Sequence, residues 1–304
     1  MINKKIIIAG GSGFIGRSLT KYLITHGFTV VILTRSRCND YNRVRHIFWD
    51  GKTLGAWASE LENACGIINL AGRNVDCRYI ESNRRDILES RLNSVYTIGE
   101  ALRKAMNPPQ VWIQAATTAI LGDAGDEICD ESAMPGNGFS PDVARAWEKA
   151  FFDEEVLGVR KVLFRISFVL GRGGGALSRL KLMTKYFLGG AVGSGNQFYS
   201  WIHIADLNEM FRWAIGRIEI KGTYNATGLH AVRNNEFMSE LRAAMKRPWT
   251  PRSPAWLVRL GCWILRTEPE LALRGRNCVP KRFLEAGFRH QFPTLKDALS
   301  DLIT

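Results

Sequence analysis

Apolar and polar positions fall into blocks along this chain, and the period changes from block to block. Lys5–Ala9 is a short apolar run ending in glycines, as in a strand buried on both faces. From Phe14 to His26 the apolar residues Phe14, Ile15, Leu19, Tyr22 and Leu23 recur at helical spacing, and Gly27 supplies the stop. The β-branched run Thr29–Leu33 follows at once. Strand, helix and strand within about thirty residues form a βαβ unit, which requires a parallel sheet. The alternation continues with a strand at Ile67–Leu70 and a long helix from Tyr79 to Ala105, halted by Asn107-Pro108-Pro109. A strand at Val111–Ala116, a helix at Val143–Leu157 and a strand at Val162–Leu170 come next. The pattern predicts an α/β fold, a Rossmann-like doubly wound parallel sheet.

After Gly171 the alternation loosens into glycine loops, RGGGA and GGAVGSG, and from about Lys246 the chain is rich in Pro, Arg and Trp. This divides the chain into a nucleotide-binding part at 1–170, joined in the sheet by residues from 200–228, and a small C-terminal, substrate-side lobe within 171–304. The segment Trp256–Arg266 has an apolar side with Arg259 and Arg266 seven apart. It reads as a helix closing the pocket or meeting a partner, with an anionic membrane surface as the alternative.

Composition narrows the classes. At 304 residues, 46% hydrophobic and 23% charged, the chain is ordinary globular protein. No stretch approaches the roughly 18 apolar residues of a membrane span, and the start, MINKKIIIAGG, lacks a signal-peptide pattern. A soluble, cytoplasmic protein is expected. The net charge of +12 comes from cations spread along the chain, without the motifs of a nucleic-acid binder. The six cysteines include no CxxC pair and the five histidines no HxxxH pair, so neither a disulfide framework nor a metal site is expected.

The sharpest motif is GGSGFIG at 10–16, where a predicted strand meets a predicted helix. Gly10 permits the tight turn, Gly13 lets the backbone approach a pyrophosphate, and Gly16 lets helix and strand pack closely. The second strand ends Leu33-Thr34-Arg35-Ser36-Arg37, without the carboxylate that would accept both ribose hydroxyls of NAD. A guanidinium forks onto phosphate and a hydroxyl adds a donor, so NADP(H) is expected, with Arg35 and Thr34 at the 2′-phosphate. The plainer reading of Arg35 and Arg37 is a pair of solvated turn residues.

GGSGFIG, INLAG at 68–72 and WIHIADL at 201–207 together resemble the extended short-chain dehydrogenase/reductases of the NAD-dependent epimerase/dehydratase superfamily. ESRLNSV at 89–95, VLGRGGGALSRL at 169–180, YNATG at 224–228 and VPKRFLEAGF at 279–288 resemble more closely its atypical "epimerase family" subgroup, which ends in a short domain of unknown function. The resemblance covers nearly the whole chain. It implies that Gly10, Gly13, Phe14, Ile15 and Gly16 line the pyrophosphate, and that Leu70, Ala71 and Gly72 pass the adenosine. It also implies that Arg91 reaches the cofactor from its helix. Strand-end packing for Leu70 and Ala71, and an ion pair with a helical Glu for Arg91, are the structural alternatives. A monomer or a homodimer is the expected assembly.

The superfamily's catalytic hydroxyl falls on Thr117, with Thr118 its neighbour. Its Tyr and Lys, counted back from Glu148, fall on Ser140 and Ala144, and no YxxxK occurs anywhere. The arginine that nucleotide-sugar epimerases place four residues before the motif histidine is Tyr199 here. Arg172, Arg179 and Lys181 are the cations near the glycine loops that would replace it. His203 is the other candidate for chemistry, against a structural role with Asp206 as a helix N-cap. The acidic segment 122–138 reads as a lid or a connector. Two functions follow. One is an NADP(H)-dependent oxidoreductase of the epimerase type, acting on an unidentified small molecule without the usual Tyr–Lys pair. The alternative is a non-catalytic NADP(H)-binding redox sensor or scaffold.

Overall fold

The computed structural model describes residues 4–36 and 38–303. β1 (Lys5–Ala9) turns into α1 (Phe14–Thr25), followed by β2 (Thr29–Thr34), β3 (Val44–Phe48) and β4 (Gly66–Asn69). α2 (Glu81–Lys104), β5 (Val111–Thr117), β6 (Ile128–Cys129) and α3 (Phe139–Asp153) lead to β7 (Arg160–Ile166) and β8 (Phe168–Leu170). Next come α4 (Gly175–Lys185), β9 (Phe198–Tyr199), β10 (Trp201–His203), α5 (Ile204–Gly216), β11 (Gly222–Ala226), β12 (Val232–Arg233) and α6 (Asn234–Ala244). α7 (Ala255–Leu265), α8 (Glu270–Leu273), β13 (Asn277–Cys278), α9 (Lys281–Glu285) and α10 (Leu295–Ile303) follow. No helix among the described residues is long and apolar enough to cross a membrane.

A seven-stranded sheet runs in the order β11-β7-β5-β4-β1-β2-β3, with every pairing parallel. Ile6 and Ile8 of β1 face a layer containing Leu19 and Leu23 of α1 and Phe211 of α5. Ile7 and Ala9 face the opposite layer, with Val95 and Ile98 of α2 and Phe151 of α3. Side chains alternate across a strand, so a strand covered on both faces must be apolar at every position, which accounts for the unbroken run. β1 lies between β2 and β4, so the chain departs in opposite directions on its two sides. A crevice opens there at the strands' C-terminal ends.

Three elements depart from the sequence reading. β3 was not expected; it is the sheet's edge, with Val44 buried and Phe48 68% exposed, and it carries too little apolar pattern to announce itself. The strand expected at Val162–Leu170 is two strands. Its pairing with β5 ends at Ile166; Ser167 N then donates to Ala226 O (3.1 Å) and Phe168 N to Ser200 O (3.0 Å), carrying β8 away to pair with β10. α3 begins at Phe139 rather than Val143, because Pro141 falls in the first turn, where its missing N–H is not needed.

Two buried polar contacts hold the layers in register. Arg165 on β7 makes a two-pronged contact with Glu148 on α3 (Nε–Oε1 and Nη2–Oε2, both 2.8 Å), and each residue is only 8% exposed. Asp206, in the first turn of α5, accepts from Gln291 N (2.6 Å) and Phe292 N (3.2 Å), tying down the chain that enters α10. The N-cap of α5 is therefore His203, not Asp206: its Nδ1 accepts from Ala205 N (3.1 Å) while its ring lies 3.7 Å from that of Phe292.

Removing one member of a desolvated ion pair strands the other, at about 3–5 kcal/mol. Arg165→Met is expected to lower unfolding free energy by that amount in denaturant melts, and the double variant with Glu148→Met by less. Burial holds His203 and His290 below the ordinary 6.5, against the opposing pull of Asp206 on both and of Asp301 on His203, while Arg172 and His230 add to the lowering. Both imidazoles are then neutral in the fold at a pH where the unfolded chain already binds protons. Stability is full above about pH 6.5 and falls as pH drops through the window below it. His203→Asn, which can cap α5 without titrating, should flatten that fall in thermal melts taken across pH 5–7 (roughly the range in which imidazole titrates).

Candidate functional site

The glycine turn is built on backbone contacts that leave no room for side chains. Gly10 has φ +73°, and a Cβ there would stand 2.9 Å from the Leu70 carbonyl and Ala71 N. A Cβ on Gly16 would meet the Gly11 backbone at 2.5 Å, which presses α1 onto the end of β1. Gly13, the N-cap of α1, is different: its nearest neighbour would be Gly10 O at 3.4 Å, so this side of the turn is open. α1 has no side-chain cap and no acid in its first turn. The amides of Phe14, Ile15 and Gly16 lack intrahelical acceptors, and the helix dipole points its positive end into the crevice. The Phe14 ring turns away and nests in the glycine loop after β8, where Cβ atoms on Gly171 and Gly175 would lie 2.7 and 3.0 Å from it. Phe14 and Ile15 thus offer backbone rather than side chain.

At the end of β2, Thr34 is 5% exposed; its Oγ1 donates to Ser12 Oγ (3.1 Å) and accepts from Ser36 N (3.2 Å). It fastens the glycine turn to β2 and has no donor left for a ligand. Arg35 beside it is exposed and makes no hydrogen bond or ion pair with a described residue. Arg37 lies outside the described residues.

Beyond β4 the chain is shaped by Asn69, which periodicity alone did not single out. Its Nδ2 donates to Ser94 Oγ (3.1 Å) and Gln114 Oε1 (3.0 Å), and its Oδ1 accepts from Ala71 N (3.0 Å). An asparagine inside an apolar strand was the available signal. The turn brings Gly72 against Arg91, whose Cγ would lie 3.5 Å from a Cβ at that glycine. Arg91 does not pair with a helical glutamate. Its Nη1 donates to the carbonyls of Arg73 (3.1 Å) and Ile87 (2.8 Å), its guanidinium lies 4.9 Å from the Trp147 ring, and burial pulls its pKa down to about 10.

Thr117 ends β5, and its Oγ1 accepts from Ala119 N (3.1 Å), leaving the hydroxyl proton to donate. Ser140 stands in the first turn of α3 beside Tyr79, whose ring is 4.8 Å from Phe139 and whose phenol burial pushes up. Ala144 is fully buried with Ile120, Leu121, Cys129 and Cys278. His203 lies elsewhere, with its Nε2 3.4 Å from Asp301 in α10. Tyr199 donates to Ala272 O (3.0 Å), and burial pushes it up to about 12. The three cations near the glycine loops all have partners: Arg172 reaches the Asp301 carbonyl, Lys181 the Leu302 carbonyl (3.3 Å) and Arg179 the Asp76 carboxylate (2.5 Å). Arg172 and Lys181 border a hollow of about 400 Å³ with Gly171, Ser178 and Leu302.

Known proteins share this arrangement end to end. The model of the NAD dependent epimerase/dehydratase family matches residues 6–227, and that of a domain of unknown function, DUF1731, matches residues 253–302. Epimerase family protein SDR39U1 of Bos taurus is 33% identical over 98% of this chain and 99% of its own length. Epimerase family protein YfhF of Bacillus subtilis (strain 168) is 32% identical over 98% and 97%. The crystal structure of human epimerase family protein SDR39U1 (isoform 2) with NADPH superimposes with a TM-score of 0.88 at 30% identity, covering 98% of this chain and 99% of that one. A glycine turn at the switch point of a parallel sheet, continuous with a matching C-terminal segment, places this chain in the NAD dependent epimerase/dehydratase family.

Proposed function

We propose that this chain is an NADP(H)-dependent oxidoreductase acting on a small molecule, with a proton-transfer apparatus that is not the Tyr–Lys pair. The observation that carries the cofactor choice is the end of β2. It offers an uncommitted Arg35 beside the glycine turn and no carboxylate to hold a free ribose 2′-hydroxyl. The human relative, whose crystal structure holds NADPH, supports the same choice.

The residues divide the work as follows. The amides at the start of α1 bind the pyrophosphate through hydrogen bonds and dipole. Gly10 and Gly13 keep the approach clear, and Gly16 holds the helix end against β1. Arg35 forks onto the 2′-phosphate while Thr34 fixes the turn from behind, a change from the direct contact expected of Thr34. Leu70, Ala71 and Gly72 border the adenosine side, and Arg91 holds positive charge beneath that turn. The bound cofactor supplies or accepts hydride at its nicotinamide ring. Thr117 donates a hydrogen bond that orients the substrate carbonyl. His203 serves as the cap of α5 and stays out of the chemistry.

Calorimetric titration of wild type and Arg35→Ala with NADPH and NADH tests the cofactor assignment. The variant should lose roughly tenfold or more in NADPH affinity, the scale of a charged hydrogen bond, with NADH unchanged. Equal loss for both cofactors, or no binding by wild type, would overturn it. A screen of NADPH oxidation with small aldehydes and ketones tests the second half, with Thr117→Val expected to slow turnover about 100-fold. The buried Ala144 at the lysine position favours a sensor, so tight binding with no turnover of any carbonyl would establish the redox-sensing reading instead.

A further inference from the structure

One cation at the rim of the site has no partner. Arg276 lies between α8 and β13, and its backbone is anchored on several sides. Its N donates to Phe198 O (3.0 Å), its carbonyl accepts from Ser200 Oγ (2.7 Å), and the preceding Gly275 is held by Ala124 N (3.1 Å) and Asp123 Oδ1 (3.3 Å). A Cβ on Gly275 would stand 2.5 Å from Phe198 N, so the segment cannot slide. The guanidinium is treated quite differently. Its Nε is sealed from solvent with no acceptor, and the side chain makes no hydrogen bond, ion pair or ring contact with any described residue.

Two other buried guanidiniums are supplied with acceptors. Arg165 has Glu148, and Arg160 has the carbonyls of Ile220 (2.6 Å) and Ala214 (2.8 Å). Arg78 and Arg247, whose Nε atoms are also sealed without an acceptor, lie against the rings of Trp263 and Phe187. Around Arg276 the charged and titratable neighbours are Asp123, Cys129, Cys278, Arg274 and Tyr199. Asp123 is the single carboxylate among them. It is engaged by the Gly275 amide and lies beyond ion-pair range of the guanidinium. Nε is sealed while the residue as a whole keeps partial exposure, and burial holds the guanidinium below its ordinary pKa.

The location ties this cation to the catalytic edge of the sheet. Cys129 and Cys278 pack with Ile120, Leu121 and Ala144, directly after Thr117 and at the position of the missing lysine. β13 pairs in parallel with β6, in the loop that continues from the C-terminal end of β5. A desolvated cation without a counter-ion costs stability, and an arriving anion relieves that cost while gaining a two-pronged contact.

We propose that Arg276 binds an anionic group, carboxylate or phosphate, carried by the substrate of the reaction inferred above, on which this assignment rests. The substrate class is then a small anionic carbonyl or alcohol compound, held by its anion at the C-terminal lobe with its reacting carbon toward Thr117.

The test uses the full chain with malonate and inorganic phosphate as probes, in thermal melts and calorimetry, with and without saturating NADP+ so that the cofactor's own phosphate positions can be filled. One probe should raise the melting temperature of wild type, and which one does so distinguishes carboxylate from phosphate. Arg276→Gln should weaken that probe at least tenfold, bind NADPH within twofold of wild type, and melt no lower than wild type. Arg276→Lys, which keeps the charge and loses the fork, should bind the probe several-fold more weakly, and it serves as the measure if the glutamine variant does not fold. Undiminished probe binding in these variants would place the anion elsewhere, for instance in the hollow lined by Arg233, Arg242 and Arg252, and would overturn the proposal. So would NADPH binding by a wild type that binds neither probe. Absence of NADPH binding would overturn the cofactor reading alone, leaving the wild-type and Arg276→Gln comparison to decide this one.

Discussion

Everything at the ligand edge depends on backbone meeting backbone at the end of β1. Gly16 rests on Gly11, and Gly10 rests on Leu70 and Ala71, at separations that admit no Cβ. The first contact sets where α1 begins, and so where its unpaired amides and positive dipole end are aimed. The second sets how near the turn after β4 comes to the turn after β1. Because β1 stands between β2 and β4, these contacts define both walls of the crevice. Thr34, hydrogen bonded to Ser12, adds the third side.

A second framework positions the elements around the reaction centre. The Arg165–Glu148 contact locks α3 against β7 and so fixes which of its residues face β5. In that register Ser140 meets Tyr79 and Ala144 is sealed under Ile120 and Leu121. At the positions that the resemblance assigns to the Tyr and the Lys, α3 carries the small side chains of Ser140 and Ala144. The C-terminal segment is attached by a comparable device, Asp206 accepting two successive amides, with His203 at the head of the same helix. Residues that look like chemistry in the sequence WIHIADL are thus occupied in joining the lobe to the sheet.

The excess of positive charge acquires a finer meaning once partners are counted. Many arginines near the site are engaged: Arg73 with Asp86, Arg179 with Asp76, Arg274 with Glu270. Arg35, Arg91 and Arg276 have no carboxylate within ion-pair range among the described residues, and they come from three separate parts of the chain. These three leave positive charge that no carboxylate among the described residues offsets by a direct ion pair.

The sequence by itself determined the parallel α/β architecture, the strands β1, β2, β4 and β5 to within a residue, and the glycine turn. Continuous apolar runs and helical spacing are local properties, and a strand covered on both faces has no other composition available. The absence of a YxxxK pair from α3 was legible for the same reason, since it is a matter of residue type at a counted position. Other features needed the tertiary structure because they are relations between distant segments. The break at Ser167 exists only because Ala226 and Ser200 offer acceptors in different directions. Thr34 and His203 carry side chains suited to chemistry, and only the fold shows the hydrogen bonds by which Thr34 holds Ser12 and His203 caps α5. Arg276 is one arginine among many until the fold buries its Nε and supplies no acceptor. Whether a polar group is satisfied depends on which atoms the folded chain brings within reach, and residue type and spacing do not contain that information.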